Sequence, residues 1–165
     1  MNLEEWIISL LLIGLVVRQI KGRKLTLFSL IWPLGLVLYG AFTYLSQVPQ
    51  YPSDWTFVFC LCVVGIILGV GCGSLTDVYV ESNVIMARAR VLAACLWILG
   101  MGSRLAFGIF ATNGGEEQII ELSIKLNLHS AETWTTALIT MALVEVLARS
   151  AILFYRYKEI KKTYK

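Results

Sequence analysis

The chain has 165 residues, 58% hydrophobic and only 15% charged, with a formal net charge of +3 and a mean hydropathy of +0.74. A water-soluble domain of this length needs far more polar surface to cover itself, so most of the chain is expected to meet lipid. The small positive balance reads as a membrane orientation signal, and nucleic-acid binding has no support in it.

A helix crosses a hydrocarbon core of about 30 Å with about 20 mostly apolar residues, and five stretches qualify. The first, residues 5–20, is read as a retained span. Glu4 and Glu5 sit where a signal peptide carries basic residues, and Arg18–Gln19 replaces a small-residue cleavage site. The basic segment RQIKGRK follows. The second span, 26–46, carries Pro33, which removes one backbone hydrogen bond and predicts a kink. The third, 55–75, ends in GIILGVGCG, where Gly65, Gly69 and Gly73 recur every four residues. Asp77 and Glu81 come next as rim charges, either solvated or paired with Arg88 or Arg90. The fourth span, 89–111, contains Gly100, Arg104 and Gly108, again at four-residue spacing. Residues 112–131 form an outer loop opened by the breaker Asn113-Gly114-Gly115. Within it Ile119 to Leu128 reads either as an alternating segment or as a short amphipathic helix in the interface. The fifth span, 132–155, has Ser130 as a candidate N-cap, and residues 156–165 make a basic tail. The expected fold is therefore all-α, a single polytopic domain built as a five-helix transmembrane bundle.

Charge orients the bundle. Arg18, Lys21, Arg23, Lys24, Arg88, Arg90, Arg156, Lys158, Lys161, Lys162 and Lys165 all fall on one side of a five-span arrangement. The other side holds Lys125 with Glu4, Glu5, Asp54, Glu116, Glu117, Glu121 and Glu132. The positive-inside rule then places the N-terminus outside and the C-terminus in the cytoplasm. Trp6, Trp55 and Trp134 lie at span ends on the outer side, as interfacial anchors do.

Arg104, Glu145 and Arg149 are the candidate site. An unpaired charge at the bilayer centre costs about 3 kcal/mol on insertion scales, so all three are expected to face the bundle interior. At about 1.5 Å rise per residue, Arg104 and Glu145 differ in depth by roughly 5–8 Å, within side-chain reach if spans four and five are neighbours. Glu145 and Arg149 share one helix face at i,i+4, so Glu145 is expected to accept from both arginines. Two readings stand side by side: a clamp that sets how the two spans pack, or a polar site for a small anionic ligand or a proton. The glycines at 65, 69, 73, 100 and 108 read as helix-packing positions, within one chain or between chains.

Cys60, Cys62, Cys72 and Cys95 read as small buried hydrophobes. His129 is the sole histidine, which leaves no histidine pair within one chain for a metal or haem. No metal or other cofactor is expected. Neither a nucleophile elbow, a P-loop, a dinucleotide fingerprint nor a metalloprotease motif is present, and no enzyme activity is expected.

The segments RQIKGRK (18–24), LIWPLGL (30–36), GIILGVGCG (65–73) and LWILGMGSRLAFG (96–108) together resemble the small bacterial membrane proteins grouped as CcdC-like. In that family a basic segment precedes a proline-containing span, a glycine-rich span and an arginine late in the next. The resemblance covers roughly residues 18–108 and implies a multi-pass protein of a bacterial cytoplasmic membrane. The functional expectation is an accessory or regulatory subunit that associates with a membrane partner or with itself through the span-three glycines. The alternative is a small-molecule-binding or transport protein using Arg104, Glu145 and Arg149.

Overall fold

The computed structural model describes residues 23–25, 35, 38, 39, 41, 42, 51–82, 84–130 and 132–163. The expected first span, with Trp6, lies outside the described residues, as does Pro33. Of the second span only Gly35, Leu38, Tyr39, Ala41 and Phe42 are described, and all five are helical.

The elements, in chain order, are β1 (Arg23–Lys24), α1 (Pro52–Ser74), β2 (Thr76–Glu81), β3 (Val84–Ala89), α2 (Val91–Thr112), α3 (Glu116–Lys125) and α4 (Glu132–Thr163). The chain is mostly helical, and α1, α2 and α4 are each long and apolar enough to cross a membrane. These three coincide with the expected third, fourth and fifth spans. Pro52 opens α1 at a position where its missing N–H costs nothing. At the far end Thr76 Oγ1 donates to the Cys72 carbonyl at 2.8 Å, taking up one of the helix's free acceptors.

The described residues are mostly helical, as the all-α expectation requires, with one small sheet that it does not include. Between α1 and α2 the chain forms a β-hairpin, and β1 joins it in an antiparallel sheet of order β1-β3-β2. TDVYVE and VIMARA carry Thr76, Val78, Val80, Val84 and Ile85, β-branched residues that suit a pleated strand. Glu81 pairs with Val84, which leaves a two-residue turn in which Ser82 has φ 50°, the positive φ that such turns require. One face of the sheet packs on α4, where Leu25, Ala87 and Leu153 are buried together against Val78, Ile85 and Tyr157. Arg156 Nη1 donates to the Thr76 carbonyl at 2.7 Å and ties helix to sheet. α4 therefore does not end at the expected tail: its 32 residues extend about 48 Å, well beyond a hydrocarbon core of about 30 Å.

Helix α1 lies against α4 along its glycines. A Cβ on Gly65 would stand 2.5 Å from the Met141 carbonyl oxygen, one on Gly69 would press on the Glu145 carbonyl, and one on Gly73 would stand 3.1 Å from Ile152 Cβ. Contacts advance together along both chains, so α1 and α4 run parallel. Helix α2 runs back between their levels: Cys72 Sγ donates to the Ala93 carbonyl at 3.4 Å, Gly100 meets Glu145, and Phe107 stacks on Trp134 with ring centroids 4.9 Å apart. Trp134 is thereby turned inward and is buried, not placed as a lipid-facing anchor. Its Nε1 donates to Ser123 Oγ at 2.9 Å. Trp55, by contrast, is exposed.

The glycine stripe is thus a device for packing within one chain. Gly69→Ala sets a methyl 2.9 Å from Ala148 Cβ and against the Glu145 carbonyl, an overpacking expected to cost about 1–3 kcal/mol. Gly102→Ala, with nothing within 4 Å of the new methyl, is the matched control. Thermal unfolding in detergent should show a lowered midpoint for the first variant and a slightly raised one for the second, because Ala favours a helix interior over Gly by about 1 kcal/mol.

Candidate functional site

Arg104 and Glu145 meet. Arg104 projects from the middle of α2 and Glu145 from the middle of α4, and the Arg104 Nη2 donates to Glu145 Oε2 in an ion pair. Only 15% of the arginine side chain and 8% of the glutamate side chain remain exposed. The carboxylate rests on the backbone of Gly100, where a Cβ would stand 2.9 and 3.0 Å from its two oxygens. Gly100 is therefore part of the site: any larger residue would push the carboxylate off α2. Gly108, at the far end of the same stripe, takes no part, since a methyl added there would meet nothing within 4 Å.

The guanidinium is only partly used. Its Nη1 lies 3.9 Å from Met101 Sδ, a weak acceptor, and its Nε is buried with no hydrogen-bond partner. Ser103, next to it in the chain, donates its hydroxyl back to the Gly100 carbonyl at 3.1 Å. Pairing neutralises both charges, so the arrangement is a closed dipole with spare N–H donors on the arginine.

Arg149 does not join it. Among the described residues Arg149 forms no ion pair within 4.0 Å, and its Cα lies against α1, 3.4 Å from where a Cβ on Gly73 would stand. The physical reason is that α4 uses two faces. Its backbone at 141, 145 and 149 closes on the glycines of α1, while the Glu145 side chain reaches across to α2. The expected three-residue cluster is a pair.

Two polar groupings are not legible as such in the sequence. At the end of the bundle where α1 begins, Asp54 is 1% exposed and accepts the His129 backbone N–H at 3.2 Å. The His129 ring stacks on Tyr51 with centroids 4.0 Å apart, and its Nδ1 stands 3.3 Å from Ser53 Oγ and 3.6 Å from Asp54 Oδ1. Hydroxyl and carboxylate meet the same ring nitrogen, unlike the two-sided relay of a hydrolytic triad. Asp54 lies in the first turn of an apolar helix and His129 is 75 positions away, so neither residue signals the other. At the opposite end Arg90 Nε donates to Asp77 Oδ2 at 2.8 Å, one of the two pairings open from the sequence. That hydrogen bond holds the Asp77 carboxyl below the usual carboxylate range. Whatever the pair contributes is present at neutral pH and lost as pH falls through the lowered value; both side chains are well exposed, so the contribution is small.

Among the described residues no three His, Cys, Asp or Glu side chains converge as a metal site would require. Neither a family model, nor a curated protein, nor a solved structure matches the chain.

The ion pair makes a definite mutational signature. Removing one member leaves the other buried without a counter-charge, a loss of about 3–5 kcal/mol, whereas replacing both with apolar residues is close to neutral. Arg104→Leu and Glu145→Leu should each lower the unfolding midpoint strongly. The double variant should recover most of the loss, a sign of coupling that independent sites do not give.

Proposed function

We propose that this chain is a five-span protein of a bacterial cytoplasmic membrane, N-terminus outside and C-terminus inside, serving as an accessory or regulatory subunit. It associates through the outer face of α2 with a membrane partner or a second copy. The orientation is supported by the grouping of Lys24, Arg88, Arg90 and Arg156 around the sheet, at the opposite end from Asp54, Glu116, Glu117 and Glu121.

One observation carries the functional reading. The packing devices of α1 are spent on α4, while α2 keeps a long apolar face that no other described element covers. Cys95, Leu99, Gly102, Ala106 and Phe110 follow one another along it, and Leu99 and Phe110 are exposed. Gly102 and Ala106 at its centre give the small-residue spacing that lets a second membrane helix approach closely. A role in association therefore belongs to α2, not to the glycines of the third span.

A second reading, binding of a small anionic ligand, is favoured by the buried and unpartnered Arg104 Nε. Native mass spectrometry of the protein extracted from its own membrane separates the two. Association predicts a co-purifying polypeptide or second copy that is lost in Gly102→Leu, with the unfolding midpoint preserved. A retained small anion that disappears in Arg104→Ala, with no polypeptide attached, would replace the accessory reading by the ligand-binding one.

A further inference from the structure

The outer loop expected at 112–131 contains the helix α3, which carries EEQIIELSIK and has no buried residue. Three contacts fix how it lies. Gly114 turns the chain with φ 91°, and the Gly115 N–H bonds to the Phe110 carbonyl at 3.0 Å, so α3 starts against the end of α2. In its last turn, Ser123 Oγ accepts from Trp134, in the first turn of α4. At its end Asn127 adopts φ 55°, and the Asn127 and Leu128 N–H groups bond back to Ile124 and Ser123 at 3.1 and 2.8 Å, closing the helix in a Schellman motif. The chain then reaches His129, fixed to Asp54 at the start of α1.

The segment thus crosses the ends of α2, α4 and α1 in turn. Those ends lie together, since Phe57 of α1 and Phe107 of α2 both pack on Trp134 of α4. A segment tied successively to Phe110, Trp134 and Asp54 therefore passes across the end of the bundle. Its side chains divide accordingly. Ser123 faces the bundle, Glu117, Glu121 and Lys125 make a charged stripe in which Lys125 Nζ bonds Glu121 at 2.7 Å, and Ile120 and Ile124 lie beside it, 59% and 72% exposed. On α2 the neighbouring turn continues the same apolar surface with exposed Ile109 and Phe110.

We infer that α3 lies in the membrane–water interface, with Ile120 and Ile124 set among lipid chains and the Glu117–Glu121–Lys125 stripe in water. An amphipathic helix in this setting buries its apolar side just below the headgroups. The helix holds the outer ends of three spans at one depth. The inference rests on the membrane placement of α2, and the test separates the two.

Spin labels on Ile120→Cys, Ile124→Cys, Glu117→Cys and Glu121→Cys, with the four native cysteines replaced by alanine, are read in phosphatidylcholine vesicles against oxygen and a water-soluble nickel chelate. Leu99→Cys on α2 is the control. The oxygen-to-nickel accessibility ratio should be several-fold higher at 120 and 124 than at 117 and 121, and should stay below the value at the deeper site 99. Nickel access at 120 and 124 beside an oxygen-favoured 99 would overturn the interfacial placement and leave the spans standing. Labels at 120 and 124 immobilised and shielded from both reagents would overturn it in favour of a protein neighbour. Nickel access at 99 would remove the membrane reading itself. Because the substituted side chains on α3 are unburied, an unfolding midpoint equal to that of the cysteine-free parent verifies the fold in each case.

Discussion

The close approach of α1 to α4 is the constraint from which the remaining arrangement follows. Three glycines at four-residue spacing let one backbone rest on the other, with carbonyls of α4 standing where side chains of α1 would be. In lipid there is little hydrophobic gain from bringing apolar helices together, so contact at this range must come from van der Waals packing and backbone proximity. Parallel helices need a return, and α2 supplies it. The hairpin β2–β3 is the connection that lets the chain turn from α1 into α2, and the α3 segment brings it back from α2 to α4. Both connections are structured because each is tied to α4, one at Thr76 and the other at Ser123.

Burial of charge follows from the same geometry. With one side of α4 closed by α1, Glu145 has room only toward α2, and Gly100 provides it. Arg104, one helical turn beyond Gly100, is then the natural partner. A carboxylate and a guanidinium in a dry, helix-lined space are each costly alone and tolerable together. Such a pair fixes rotation and depth of α2 on α4 more narrowly than apolar packing can, since sliding either helix by one turn would strand both charges. Arg149 escapes this constraint because its level on α4 is set against α1, nearer the end of the bundle where long cations reach polar surroundings.

Much of this is readable from residue order and some is not. Apolar runs bounded by charges locate α1, α2 and the start of α4 within a few residues, and a charge without an excuse in a greasy span points to Arg104 and then to Glu145. These signals are local, or need only a depth comparison. The sheet leaves weaker signs: VYVE and VIMAR contain valine and isoleucine and flank Ser82–Asn83, but neither alternates apolar with polar residues. Two strands this short between membrane spans resemble any polar connection, and the third strand that completes the sheet is more than fifty residues away. The residues at 156–163 read as a separate tail because basic residues end a span, yet they do not end a helix; Leu153, Arg156 and Tyr157 continue it by packing on the sheet. Asp54 with His129 has no sequence signal, since their meeting depends on the parallel setting of α1 and α4. Trp134 misleads for the same reason: its position at a span end fits an anchor, and only the neighbouring Phe57, Phe107 and Ser123 decide that it points inward.

Helix α4 is the member on which all else is assembled. Along its length it meets α3 at Trp134, the glycines of α1 at Met141 and Glu145, α2 through the Glu145 carboxylate, and the sheet from Leu153 to Tyr157. Its contacts therefore occupy opposite faces and several depths, which explains why its apolar residues form no single stripe. α2 is the converse case. It touches α4 and α1 at small or charged positions, Ala93, Ala94, Gly100 and Arg104, and through Leu96, Trp97 and Phe107, and among the described residues its other side is apolar and exposed. A helix held this way has one inner edge fixed by the other described helices and one outer face that they leave exposed. Among the described residues, substitution on that outer face disturbs no packing contact, so of the described surface it is the part where contact with a further membrane helix conflicts least with the bundle.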